Sequence, residues 1–279
     1  MKKQLLAGAL AASTLAAGTF SAMPADALTL SGSSGTRSAS VTLSTSNNNL
    51  LVQLTNTGGG AGVPTDVLTG IFFDIAAPVP QLSLTAASVA PGSSVVLFNG
   101  TASGEVQPTQ PTSILAPPTG NFVGGWQYQS GNAVSGKITD FDAGSGTSGF
   151  GIFNGNQVNG NQANGKQVNS GGGGGNFNYG LINGYNLSAT NGSPNNPVRN
   201  ALLVNNSVLL TLAGLQPGFS LNQIQAVRFQ YGTNLSEPSL VVNNNPQPIP
   251  TPALLPAALG TGLAILRKKK QEEKAAQNA

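Results

Sequence analysis

From Leu28 to about Asn243 the apolar residues of this chain recur at roughly every second position, in short runs cut by Gly, Pro or Asn clusters. A period of two puts alternate side chains on opposite faces of an extended strand, whereas a helix needs a period near 3.6. Leu50-Leu51-Val52-Gln53-Leu54-Thr55 roughly alternates until Asn56-Thr57-Gly58-Gly59-Gly60 ends the run. Residues 67–75 form a second expected strand, with Ile71, Phe73 and Ile75 on one face. Residues 81–89, 94–98, 122–129, 207–212 and 224–231 repeat the pattern between turn-forming clusters. Strands this closely spaced, with no helical segment between them, predict an all-β body: an antiparallel β-sandwich of jelly-roll or immunoglobulin-like type. A barrel fits less well, and 6% aromatic residues leave no girdles for a transmembrane one.

Composition agrees. Only 8% of the 279 residues are charged, so helices would lack their usual Glu- and Lys-rich exposed faces. The net charge of +3 comes largely from the ends, where Lys2, Lys3, Arg267, Lys268, Lys269, Lys270 and Lys274 lie. Within the body Arg37, Lys137, Lys166, Arg199 and Arg228 are scattered and opposed by Asp66, Asp74, Glu105, Asp140, Asp142 and Glu237. No basic stripe exists to displace counterions from phosphates, so nucleic acid is excluded as a partner. The chain has no Cys and no His, which excludes disulfides, thiolate metal sites and both Ser-His-Asp and Cys-His catalysis. A carboxylate pair is the remaining route to hydrolysis, and body acids that end strands or cap turns have a simpler explanation. The expectation is a protein that is not an enzyme.

Both ends read as addresses. Lys2-Lys3 precede an uncharged Leu- and Ala-rich stretch over residues 4–20, and Ala25-Asp26-Ala27 gives the small-x-small pattern of a signal-peptidase site. Residues 1–27 are therefore expected to be a leader cut after Ala27, and 28–243 the extracellular body. Residues 244–252 form a polar, Pro-bearing linker. Residues 253–270 then run from Ala253 through Leu254, Leu255, Leu263, Ile265 and Leu266 to the cluster Arg267-Lys268-Lys269-Lys270. As a helix, residues 253–266 span about 21 Å, and starting at Ile249 extends this to about 27 Å, against about 30 Å of bilayer hydrocarbon. Snorkelling basic side chains make up the difference and hold that end in the cytoplasm, with residues 271–279 as a cytoplasmic tail. Short hydrophobic helices are thus expected at both termini.

The tail, Pro250-Thr251-Pro252-Ala253 followed by a glycine-containing apolar span and a terminal basic cluster, resembles the PEP-CTERM class of sorting signals, most closely the cyanobacterial Pro-Thr-Pro-Ala variant. The resemblance implies processing near Pro250, Thr251, Pro252 and Ala253 by an exosortase-type membrane enzyme, after signal peptidase has acted at Ala25 and Ala27. It implies an exported protein of the envelope surface or extracellular matrix, anchored in the membrane by the C-terminal helix either transiently before processing or permanently, with exopolysaccharide as a further partner. Three stretches of the body also resemble exported bacterial proteins that share such tails: Val63-Pro64-Thr65-Asp66-Val67-Leu68-Thr69-Gly70-Ile71-Phe72-Phe73-Asp74, Gly149-Phe150-Gly151-Ile152-Phe153 and Phe229-Gln230-Tyr231-Gly232-Thr233. They imply one domain and bring no activity.

Residues 142–186 are dominated by Gly and Asn. They contain three tandem pentapeptides, Gly155-Asn156-Gln157-Val158-Asn159, Gly160-Asn161-Gln162-Ala163-Asn164 and Gly165-Lys166-Gln167-Val168-Asn169. Ordering so many glycines costs entropy that such units cannot recover by burial, so a flexible insertion is expected here, with a short β-arch as the alternative. Two constellations carry possible chemistry. Asp140-Phe141-Asp142-Ala143-Gly144 places acids two apart before a glycine, which suits a weak Ca²⁺ contact or a plain turn; no other cofactor is indicated. Trp126 and Tyr128 share one face of a strand, where they either stack on a sugar or pack in the core. The leading expectation is a structural or adhesive surface protein; the alternative is a carbohydrate-binding module or weak glycoside hydrolase.

Overall fold

The computed structural model describes residues 27–98, 107–115, 125–147, 153, 162–163, 166–167, 178–186, 188, 198 and 201–244. All of them belong to one compact unit, Met1–Asn244, and a second unit comprises Asn245–Ala279. The body is all-β. Its strands are β1 (Ala27–Ser34), β2 (Arg37–Ser46), β3 (Asn49–Asn56), β4 (Leu68–Ile75), β5 (Ser83–Val89), β6 (Ser94–Val96), β7 (Trp126–Ser130) and β8 (Ala143–Thr147). They continue as β9 (Gln162–Ala163), β10 (Lys166–Gln167), β11 (Leu181–Ile182), β12 (Leu203–Asn205), β13 (Ser207–Ala213), β14 (Ile224–Tyr231) and β15 (Ser239–Asn243).

One sheet has the order β1-β2-β3-β13-β5, antiparallel throughout. Ser46 pairs with Asn49, and the two residues between them, Asn47 and Asn48, have φ of 48° and 62°. Asn tolerates this left-handed region better than other side chains, and two such residues make the hairpin turn whose twist matches the strands. The period of two is visible in the burial: Ala39, Val41 and Leu43 of β2, and Leu50, Val52 and Leu54 of β3, are all wholly buried.

The other large sheet forks. β15-β14-β4 run side by side, and β4 then shares its far edge between two neighbours. Leu68 pairs with Leu181 of β11, while Gly70 through Phe73 pair with Gly146 through Ala143 of β8, which carries β7. From β11 the sheet continues to β12 and β6, and β11 with β12 is a parallel pair, so the sheet is mixed rather than purely antiparallel as expected. β4 is therefore covered on both faces. Ile71, Phe73 and Ile75 enter the core that the two sheets share, together with Trp126, Val227, Phe229 and Tyr231. Phe72, on the opposite face, packs with Val134, Ile138, Phe141 and Phe153, its ring stacked on Phe153 at 5.9 Å. A strand buried on both faces reads as a continuous apolar run, as Ile71-Phe72-Phe73 does.

The expected insertion over 142–186 requires correction at both ends. β8 is hydrogen-bonded on both sides, between β4 and β7, and β11 joins β4 to β12. Gly144 of β8 is required by packing: a Cβ there would lie 2.3 Å from Phe72 Cδ1 and 2.9 Å from the Ile71 carbonyl oxygen. Within the pentapeptides, β9 and β10 form a two-residue antiparallel pair, Gln162 with Gln167 and Ala163 with Lys166; the rest of the repeats lie outside the described residues.

Parts of the sheet edges are covered by neighbouring chain. Ile114 N donates to Ala87 O at 2.9 Å and Ile114 O accepts from Trp126 N at 2.8 Å, so one residue relays the main-chain ladder from β5 to β7. On the opposite side β1 lies against β15, where a Cβ on Gly32 would sit 2.7 Å from Val242 Cγ2. Both ends of the body lie at one pole. Ala27 lies beside Leu221 and Asn222, while Asn244 donates from its backbone N to Gln225 O at 2.7 Å and from Nδ2 to Ile224 O at 2.9 Å.

Candidate functional site

Trp126 is 0% exposed, and its indole Nε1 donates to Tyr179 O at 3.1 Å. Tyr128 stands beside it on the same face of β7, packed on the shared core, and burial pushes its hydroxyl up to about 12, with a smaller opposing pull from Ser130. The expected sugar contact at Trp126 and Tyr128 is corrected accordingly. An indole with no exposed surface has no face to stack on a ring, and the two-residue spacing that aligned this pair directs both inward.

Asp140 and Asp142 lie at the turn that leads into β8. Asp142 extends the ladder to β4: its N donates to Phe73 O at 3.0 Å, and its Oδ2 accepts from Ile75 N at 3.1 Å. Asp140 holds the turn with φ of 68°. The fold brings up a third acid that spacing alone does not reveal. Asp74, at the end of β4, has its carboxyl raised first by partial burial and then by the charges of Asp142 and Asp140. Among the described residues no three His, Cys, Asp or Glu side chains converge to hold a metal ion.

The other acids of the described body are engaged by their surroundings. Asp66 accepts from Gly62 N at 3.1 Å and Val63 N at 3.2 Å through Oδ2, and its Oδ1 lies 3.6 Å from Arg37 Nη2. Arg37 is held in turn by Thr65, donating to its carbonyl at 2.6 Å and its hydroxyl at 3.1 Å. Glu237 accepts from the backbone N of Thr233 and, at 2.7 Å, from that of Asn234. Gln230, 0% exposed, secures the same loop by donating to the carbonyls of Tyr231, Asn234, Glu237 and Pro238. These are turn-building roles.

A surface feature with room for a ligand lies at the pole where Ala27 and Asn244 are placed. Two depressions of about 460 Å³ and about 280 Å³ share Thr45 and Phe219 as a common wall. One is completed by Ala27, Leu28, Leu221 and Asn222, the other by Asn47, Asn48 and Gln216, and neither is lined by a charged side chain. The wall is built firmly. Gly214 N and Leu215 N both donate to Asn48 O, at 3.2 and 2.9 Å, which ties the connection before β14 to the β2–β3 turn. Ser220 caps the 3-10 turn Leu221–Gln223, with Oγ accepting from Asn222 N at 3.3 Å and N donating to Gln223 Oε1 at 2.9 Å. Phe219, part-buried, rests on the shared core. The sequence carried no signal for this feature, because its parts are far apart along the chain and a lone Phe in a Pro-Gly turn resembles any other.

Of the expected processing residues, Ala27 is the first residue of β1 and pairs with Ser44. Ala25, Pro250, Thr251, Pro252 and Ala253, and the membrane segment from Leu254 to Lys270, lie outside the described residues. Among the described residues no helix is long and apolar enough to cross a membrane. No family model, curated protein or solved structure matches the chain.

Proposed function

We propose that the chain is an exported, non-enzymatic protein of a cell surface or extracellular matrix, with a structural or adhesive body and a PEP-CTERM-like Pro-Thr-Pro-Ala sorting tail. The observation that carries this reading is the fit between the address segments and the folded unit. The described strands begin with β1 at Ala27, beside the expected leader cut, and the compact unit Met1–Asn244 ends where the Pro-bearing linker is expected to start. Two sheets around one core support a β-sandwich for the body, of jelly-roll or immunoglobulin-like type. Export is served by signal peptidase, and the tail by an exosortase-type enzyme acting at the membrane.

The test is the intact mass of the mature protein from its native host, which locates both cuts at once. A mass beginning at Leu28 and ending near residues 250–253 is the expected result. Replacing Pro250-Thr251-Pro252 by alanines should leave the tail uncut; a cytosolic protein with Met1 and Ala279 intact overturns the reading.

A further inference from the structure

We infer that the two depressions flanking Phe219 form a binding site for a neutral saccharide chain, an inference that rests on the surface-protein reading above. A sugar ring presents two kinds of surface, an apolar C–H face and a rim of hydroxyls that each donate and accept. The site presents the complement of both. Phe219 lines both depressions, and its packing on the core fixes the ring before any ligand arrives. An aromatic face is the usual support for the apolar side of a sugar. Around it the side chains of Asn47, Asn48 and Asn222 are exposed and make no hydrogen bond within the described residues. Each amide carries a donor and an acceptor a short distance apart, the pairing that adjacent hydroxyls require.

The absence of charge on the lining narrows the ligand class. A sulfated, phosphorylated or uronate polymer would meet no counter-charge there, and an ion stripped of water without a partner is penalised. Volumes of about 460 and 280 Å³ fall in or just below the range of small-molecule sites. Two such spaces on either side of one ring suit consecutive units of a chain better than a single compact ligand. The local backbone is already ordered by the Asn48 carbonyl and the Ser220 cap, so little flexibility is lost on binding. The turn accounts for Asn at 47 and 48 by their positive φ. It does not account for Asn222, whose backbone N meets Ser220 while its side chain makes no hydrogen bond among the described residues.

The experiment is a titration of the purified full-length protein with cellohexaose, maltohexaose and laminarihexaose, followed by amide NMR, with hexagalacturonate as the charged control. Saturable shifts confined to the side-chain amides of Asn47, Asn48 and Asn222 and to residues 214–223 are expected for at least one neutral probe, with Kd of about 1 mM. Phe219→Ala should weaken binding about tenfold. Because that change also removes core packing, the exposed Asn222→Ala is the folded control, expected to weaken binding about threefold. No saturable shift with any neutral probe, preferential binding of the charged one, or affinity unchanged in both variants overturns the site. A correctly exported and cut protein that binds none of them sinks this inference alone, whereas an uncut cytosolic protein sinks the surface reading on which it rests.

Discussion

The side-chain amide of Gln110 makes to Val95 the two hydrogen bonds that a neighbouring strand would make. Its Oε1 accepts from Val95 N at 2.6 Å and its Nε2 donates to Val95 O at 3.0 Å. β6 ends its sheet, and Gln110 caps that edge without adding a strand. Three residues further on, Ser113 and the relay through Ile114 meet the edge of β5 at Ala87.

Removing the cap should therefore affect association as well as stability. Gln110→Ala leaves two main-chain groups of Val95 without protein partners and is expected to cost about 1–2 kcal/mol in urea denaturation. It should also produce concentration-dependent self-association by light scattering. Gln110→Glu keeps an acceptor for Val95 N but faces Val95 O with a second acceptor, so it should recover only part of the loss.

Trp126 is the chain's sole tryptophan and is wholly buried, which makes it a built-in reporter. Native fluorescence should be blue-shifted and poorly quenched by iodide, and should move red in a single transition with denaturant. Trp126→Ala should destabilise the body by about 3–5 kcal/mol through the cavity it leaves. Trp126→Phe should cost less, since it keeps most of the volume and loses the bond to Tyr179 O.

Gly144 faces the ring of Phe72 closely enough that any side chain there must displace aromatic or backbone atoms. Gly144→Ala is expected to cost about 1–3 kcal/mol from overpacking, despite alanine's lower chain entropy in the unfolded state. The double variant Gly144→Ala with Phe72→Leu should lose less than the sum of the singles, measured by equilibrium unfolding.

The body should lose stability in alkali because burial raises the hydroxyls of Tyr179, Tyr231 and Tyr128, and part of that loss belongs to Tyr128. Burial raises its hydroxyl from 10.0 to about 12, so the unfolded chain ionises first. The neutral hydroxyl contributes stability that is complete below pH 10 and is lost as the pH climbs toward about 12. Tyr128→Phe should flatten that part of the stability curve, and absorbance at alkaline pH should show a phenol that titrates late. At the acid end Asp74 obeys the same sign rule. Its raised carboxyl favours the fold most below the ordinary 3.8, and the repulsion from Asp142 and Asp140 sets in as the pH rises. Asp74→Asn should therefore stabilise at neutral pH, by no more than about 0.5 kcal/mol for so exposed a group.

Much of the architecture was legible in the residues. The strands expected over 67–75 and 224–231 are β4 and β14, which pair with each other across the centre of the second sheet. The inward face of Ile71, Phe73 and Ile75 follows from period two alone. β8 was illegible because Ala-Gly-Ser-Gly-Thr has no apolar rhythm; its strand character comes from neighbours that demand small side chains. β11 and β12 are two and three residues long, below the length at which any period can be recognised. Spacing identified Asp140 and Asp142 but not Asp74, because only the β4–β8 pairing brings that acid to them. It aligned Trp126 with Tyr128 correctly, yet alignment on a strand does not say which side of the sheet meets solvent.

Ala27 and Asn244, the ends of the described body, lie at a single pole, and the β1–β2 turn lies a strand's length from Ala27. The turn at Gly35 stands eight strand residues from Ala27, and a Cβ built there meets nothing within 4 Å. A peptide grafted at Gly35 would be carried about 26 Å along β1 from Ala27, so the tip of this hairpin can display an inserted segment without disturbing the pole where Ala27 and Asn244 lie.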